Sequence, residues 1–157
     1  YTCEYHASAV GEVNVVEKMK LCNAVIGGEG NGGVIYPELH YGRDALVGIA
    51  LFLSNLAEKN ISSLNLRNSY PNYFISKNKL DLDPNTDIDY IFSQLKNQYS
   101  KNEINLVDGL KIDFDSGWVH LRRSNTEPII RIYSESSSKE KADELAINFI
   151  NQIKKII

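Results

Sequence analysis

Two cysteines and three histidines are too few, and too scattered, to set a metal centre. Cys3 and Cys22 have no second Cys/His pair at zinc-ligand spacing, and His6, His40 and His120 lie far apart in the chain. A Cys3–Cys22 disulfide is conceivable, but two cysteines in a core-rich chain do not make a disulfide scaffold. The expectation is two reduced, partly buried thiols. Runs of like charge are also lacking, so no segment reads as an interaction tail. The net charge of −3 offers no basic excess of the kind a nucleic-acid partner requires. No apolar stretch reaches the roughly 18 residues of a membrane-spanning helix. The first ten residues, YTCEYHASAV, have neither the basic nor the apolar region of a signal peptide. These absences argue against nucleic-acid binding, membrane insertion and export, and the expected location is the cytoplasm. The missing initiator methionine suggests that the chain was taken from something longer.

What is present reads as a globular protein, with 43% hydrophobic and 24% charged residues in 157, enough for one domain or two small ones. Residues 13–22 carry Val15, Met19 and Cys22 at helical spacing, with Asn14 as candidate N-cap. Ala24-Val25-Ile26 predicts a short buried strand running into the glycines at 27–33, and Val34-Ile35-Tyr36 a second one, ended by Pro37. Residues 43–60 predict a helix with Ala45, Leu46, Ile49, Leu53 and Leu56 on its apolar stripe and Asn60 as its stop. The first 65 residues therefore read as the tail of an α/β unit.

Residues 62–72, polar and with Pro71, predict a linker. The pattern then changes. A partly alternating stretch from Tyr73 to Leu82 turns at Asp83-Pro84-Asn85. Residues 86–99 predict a helix capped by Thr86, with Ile88, Ile91, Phe92 and Leu95 facing inward. Residues 110–114 and 118–121 flank Asp115-Ser116-Gly117 as a hairpin. A strand at 129–134 and a helix at 138–156, with Ala142, Leu145, Ile150 and Ile153 inward, complete an antiparallel α+β pattern. The boundaries expected are 1–65 and 66–157.

Two constellations bear chemistry. Arg122-Arg123-Ser124-Asn125-Thr126-Glu127-Pro128, with Arg131 beyond, packs guanidinium, hydroxyl and amide donors into a loop between strands. Guanidinium forks match phosphate oxygens, and successive backbone N–H groups form anion nests. The alternative is a polar hairpin loop whose hydroxyls satisfy local backbone. The second is Gly27-Gly28-Glu29-Gly30-Asn31-Gly32-Gly33, where glycines permit close approach of a ligand or make a flexible hairpin. No helix opens directly after it, so it is not the dinucleotide fingerprint. Glu12, after Val10-Gly11, reads from its position as a helix-start carboxylate favoured by the dipole; a cleft-lining role for it is implied only by the resemblance described below. His120 is expected at the surface or an edge. His40 and Arg43 either approach the glycine loop or help cap the helix at 43–60.

The pattern R-x-S-x-T-E-P-x-x-R at Arg122, Ser124, Thr126, Glu127, Pro128 and Arg131 resembles the phosphate-binding loop of the α-D-phosphohexomutases, the family of phosphoglucomutase, phosphomannomutase and phosphoglucosamine mutase. Asp108-Gly109-Leu110-Lys111-Ile112 and Gly117-Trp118-Val119 are similar to that family's approach to the loop. Glu29 matches the carboxylate of the family's sugar-binding loop, G-E-x-S-G-H, with Asn31 in place of its serine and Gly33 in place of its histidine. The resemblance implies the rear of α/β domain three followed by an α+β domain four, an antiparallel sheet with two helices of TATA-binding-protein-like form. It implies that Arg122, Ser124, Asn125, Thr126 and Arg131 hold the non-reacting phosphate, and that Glu29 and Asn31 hold sugar hydroxyls. No catalytic serine loop and no D-x-D-x-D/N-R metal loop occurs here. Catalytic residues and the Mg²⁺ site are thus expected in the N-terminal domains of the same polypeptide, with a hexose phosphate as substrate and this chain inactive alone. A stand-alone phosphosugar-binding or regulatory module, or an interaction domain sharing only the fold, are the other readings.

Overall fold

The computed structural model describes residues 3–124 and 126–157, and the chain divides after Pro71 into two compact units.

In the first unit, helix α1 (Glu12–Cys22) starts from Gly11 at φ 120° with no side-chain cap, and ends at Asn23 in the left-handed region. Asn14, expected as the cap, instead lies inside the first turn and donates to the Val10 carbonyl. The expected strand at 24–26 does not form. Val25 and Ile26 are exposed, and only Gly27–Gly28 (β1) pairs, antiparallel, with Val34–Ile35 (β2). Helix α2 (Ala45–Lys59) is capped by Asp44, whose carboxylate accepts from the Leu46 and Val47 amides, and it stops at Asn60. Its apolar stripe is a correction to expectation: no residue of α2 is buried, and Leu46 is 79% exposed. A helix of this length runs about 22 Å, and two strands of two residues offer no floor of that size. The 62–72 segment is not all linker, since it holds α3 (Ser63–Asn68), capped by Ser62 and anchored by buried Leu66. Cys3 and Cys22 are both free; Cys3 is exposed rather than partly buried.

The second unit is built on five antiparallel strands. Along the chain come β3 (Phe74–Asp81), α4 (Ile88–Gln98), β4 (Glu103–Asn105), β5 (Leu110–Phe114), β6 (Gly117–Arg123), β7 (Ile129–Ser136) and α5 (Lys139–Ile156). The sheet order is β3-β7-β6-β5-β4. Asp87, not Thr86, caps α4 by accepting from the Tyr90 amide. β4 was not expected, since three residues with one apolar side chain carry no readable alternation.

Side chains alternate across the sheet. Leu110, Ile112, Val119, Leu121, Ile130 and Ile132 point inward, where they meet Ile91 and Leu95 of α4 and Ala146, Phe149 and Ile153 of α5. Phe149 stacks on Tyr99 with ring centroids 5.1 Å apart, and Tyr99 meets Phe114 edge-on at 5.6 Å. Buried Ser134 donates to the Ala142 carbonyl at 2.7 Å, pinning α5 to β7.

The outer face is polar. His120, on the interior strand β6 and half-buried rather than at an edge, donates from Nε2 to the Asp108 carbonyl at 2.5 Å. Burial pushes its pKa below the usual imidazole value. This bond holds the turn before β5 against β6. Gly109 in that turn has φ 86°, and a Cβ there would lie 2.3 Å from the Leu121 carbonyl oxygen, so only glycine fits.

Two outcomes follow. Phe149→Ala should cost about 3–5 kcal/mol, read as a lowered denaturant midpoint. Because His120 binds its proton less readily folded than unfolded, it contributes stability above the unfolded value of 6.5, and that contribution is lost as pH falls below it. Unfolding free energies between about pH 7.5 and about pH 5.5 should therefore decline, and His120→Gln should flatten that decline.

Candidate functional site

Each unit presents one candidate loop. In the first, the turn between β1 and β2 is closed by its own backbone: the Glu29 amide donates to the Gly33 carbonyl at 3.1 Å and the Gly32 amide to the Glu29 carbonyl at 3.0 Å. Gly28 is required there, because a Cβ would stand 2.4 Å from the Gly33 oxygen. The side chains of Glu29 and Asn31 come together. Asn31 Nδ2 donates to Glu29 Oε2 at 3.4 Å, Asn31 Oδ1 accepts from the Gly33 amide, and Glu29 Oε1 accepts from the Gly11 amide at 3.3 Å. Each keeps spare capacity, since a carboxylate has about four acceptor sites and an amide two donors.

They open on different hollows. Asn31 lines a cleft of about 500 Å³ with Glu12, Arg43 and Asp44. Glu29 lines one of about 430 Å³ with His6, Ser8 and Lys18. Glu12 sits in the first turn of α1, lines the hollow shared with Asn31, and accepts from Arg43 Nε at 2.8 Å. His40 donates from Nε2 to Asp44 Oδ2 at 3.1 Å while its Nδ1 accepts from the Gly42 amide. It therefore orients the cap of α2 rather than a ligand. Hydrogen bonds from the Val47 amide and then His40 hold the Asp44 carboxyl below its ordinary pKa.

In the second unit the loop joins β6 to β7. The Ser124 amide donates to the Ile129 carbonyl at 3.2 Å, and the Ile129 amide to the Glu127 carbonyl at 2.8 Å. Ser124 Oγ lies 3.5 Å from Thr126 Oγ1 and accepts from the Thr126 amide at 3.4 Å. The two hydroxyls thus stand side by side. Asn125 lies outside the described residues. Arg122 and Arg123, adjacent in sequence, point to opposite faces. Arg123 reaches Asp89 of α4, Nη2 to Oδ1 at 2.7 Å. Arg122 lies on the outer face beside its cross-strand partner Arg131.

Arg122 is held from behind. Its Nε is 3.0 Å from Asp108 Oδ2, yet the N–H is not aimed along that line and is sealed from solvent. The contact is an ion pair, not a directed hydrogen bond, and it leaves the Nη donors for a ligand. Sequence reasoning did not single out Asp108 for this role; the Asp-Gly turn was visible, but not that it folds back under Arg122.

Chemically, the second loop offers charged and neutral donors of the kind an anion takes, and the first offers the acceptors and donors that hydroxyls pair with. Among the described residues, no three His, Cys, Asp or Glu side chains gather into a group that could hold a metal ion. Among them, no helix is long and apolar enough to cross a membrane.

Comparison with known proteins agrees in both units. Residues 1–73 match the family model described as phosphoglucomutase/phosphomannomutase, alpha/beta/alpha domain III, and residues 87–152 match that of the same family's C-terminal domain. A phosphoglucosamine/phosphogalactosamine mutase of Sulfurisphaera tokodaii is 36% identical over 100% of this chain and 34% of its own length. A phosphoglucomutase/phosphomannomutase of Thermococcus kodakarensis is 39% identical over 86% of this chain and 30% of its own. The chain thus spans about a third of the length of these curated relatives. The crystal structure of a phosphoglucomutase/phosphomannomutase family protein from Burkholderia thailandensis aligns with TM-score 0.73 and 25% identity, over 95% of this chain and 32% of that one. With two consecutive domain models of one family matched in order, and relatives of that family aligned along the whole chain, this polypeptide belongs to the phosphoglucomutase/phosphomannomutase family.

Proposed function

We propose that this chain is the substrate-recognition part of a phosphohexomutase that interconverts the 1- and 6-phosphates of a hexose. The sugar loop is assigned to the unit ending near residue 65–71 and the phosphate loop to the unit that follows. The observation that carries the reading is the position of Arg122: on the outer face of β6, below the paired hydroxyls of Ser124 and Thr126, next to Arg131, and tethered by Asp108.

A phosphate monoester brings two negative charges and three acceptor oxygens. The Nη donors of Arg122, the hydroxyls of Ser124 and Thr126 and the guanidinium of Arg131 supply charge-assisted and neutral bonds to them. Asn125 belongs to the same set by its place in the motif. In the first unit, the Glu29 carboxylate accepts from sugar hydroxyls and Asn31 donates and accepts. The names of the relatives favour a hexosamine or hexose phosphate as substrate. Mg²⁺ would supply Lewis-acid stabilisation of the transferring phosphoryl group when bound elsewhere in the longer polypeptide. Holding the non-reacting phosphate is then this chain's contribution, and positioning of that kind accounts for much of phosphoryl-transfer catalysis.

The test is a heteronuclear NMR titration of the chain with inorganic phosphate, glucose 6-phosphate and glucosamine 6-phosphate. Resonances of 122–131 are expected to shift with all three and those of 28–33 with the sugars only. If 28–33 shift but 122–131 do not, the phosphate assignment is wrong. If neither loop responds at millimolar ligand, both assignments fail. In the full-length enzyme, Arg122→Ala should lower kcat/KM at least about tenfold, or about 1.4 kcal/mol. Asp108→Asn, which keeps the side chain's shape but not its charge, should cause a smaller loss, with the turn intact by chemical shift. The chain alone is expected to show no turnover; measurable mutase activity would overturn the assignment of the chemistry to other domains.

A further inference from the structure

The outer face of the second unit carries more cationic groups than the loop motif accounts for, and most of them are already engaged. Lys111 pairs with Asp113 and lies over the Trp118 ring at 5.5 Å. Lys77 lies over the Tyr133 ring at 5.6 Å. Two more stand beside the clamp, Arg131 and the solvent-exposed Lys79. Arg131 is the cross-strand partner of Arg122 on one side and of Lys79 on the other, so Lys79, Arg131 and Arg122 form one row across β3, β7 and β6. Directly opposed residues of an antiparallel pair share a face with Cβ atoms about 4.5–5.5 Å apart.

Carboxylates stand at both ends of this row. Asp81 lies 3.6 Å from Lys79 Nζ and Asp108 lies 3.0 Å from Arg122 Nε. Arg131, in the middle, has no acidic partner among the described residues. Adjacent like charges across strands are destabilising, and an anion at the centre reverses that sign. Beside Arg131 there is room for one: a cleft of about 270 Å³ lined by Lys79, Arg131, Tyr133 and Glu127.

We infer that Lys79, on the edge strand β3, is a third cation of the phosphate site, so that the site continues from the 124–128 loop across the outer sheet face as the row Arg122–Arg131–Lys79. The ligand class is a phosphomonoester dianion, seated over Arg131. This rests on the proposed reading of the loop as a phosphate clamp and extends it to a strand outside the motif. Lys79 acts as a positioning and affinity residue. Its ammonium is solvent-exposed and flexible, so it tightens binding without anchoring the fold.

The experiment titrates inorganic phosphate into the chain and four variants, with binding read from the 122–131 resonances and folding from the denaturant midpoint. Lys79→Met should weaken phosphate binding about three- to tenfold with an unchanged midpoint, and Lys79→Arg should restore it. Asp81→Asn, which releases Lys79 from the carboxylate 3.6 Å away, should strengthen binding up to about twofold. Arg122→Ala is the control and should abolish it. If Lys79→Met binds as the parent does while Arg122→Ala does not, the clamp stands and Lys79 has no part in it. If phosphate moves no resonance of 122–131 in the parent, or Arg122→Ala binds unchanged, the clamp itself is wrong and the extension falls with it.

Discussion

The register of β6 against β7 is the constraint on which the second unit depends. Leu121 opposite Ile132 puts two apolar side chains under the helices, and the next pair, Arg122 opposite Arg131, puts two guanidinium groups on the other side. The apolar core and the cationic row use the same ladder, one residue out of phase. A one-residue slip of β6 would turn Arg122 into the core and lift Val119 and Leu121 into water. The apolar rows beneath Phe149 therefore fix where the cationic row stands, through geometry and without any direct contact between the two.

The first unit has no comparable constraint. Among its described residues, the strands are two residues each, the buried apolar residues are Met19, Ile35 and Leu66, and no residue of α2 is buried by the rest of this chain. Its loop is organised by polar contacts instead. Glu29, Asn31 and the Gly11 amide form one set, and Glu12 with Arg43 ties the start of α1 to the start of α2. Local hydrogen bonding holds a turn of this kind in shape where packing does not.

Much of the second unit was legible in the sequence because its elements are long and periodic. The alternation at 110–114, the turn at 115–117 and the inward face of α4 appear as expected. The misses are physical in origin. Ala24-Val25-Ile26 has the composition of a buried strand, but composition does not supply a neighbour to pair with. Thr86 and Asn14 are good cap residues, yet a cap is defined by which carbonyl opens the helix, and Asp87 and Gly11 occupy those positions. The site divides the same way. The loop motif made Arg122, Ser124 and Thr126 visible because they are close in sequence. Asp108 and Lys79 reach the surroundings of Arg122 only through strand pairing, which a single sequence does not reveal. Arg123 shows the converse, adjacent in the motif and turned to the other face.

Ser124 and Ile129 close the strand pair with one backbone hydrogen bond, and the residues between them belong to neither the apolar rows nor the cationic row. The loop is therefore a module that can be lengthened, shortened or exchanged while the ladder beneath it stays in phase. Grafting a different loop between Arg123 and Ile129 would replace the hydroxyls of Ser124 and Thr126 and leave the row Arg122–Arg131–Lys79 where it is. For a protein engineer, that separates the choice of loop chemistry from the cost of keeping the protein folded.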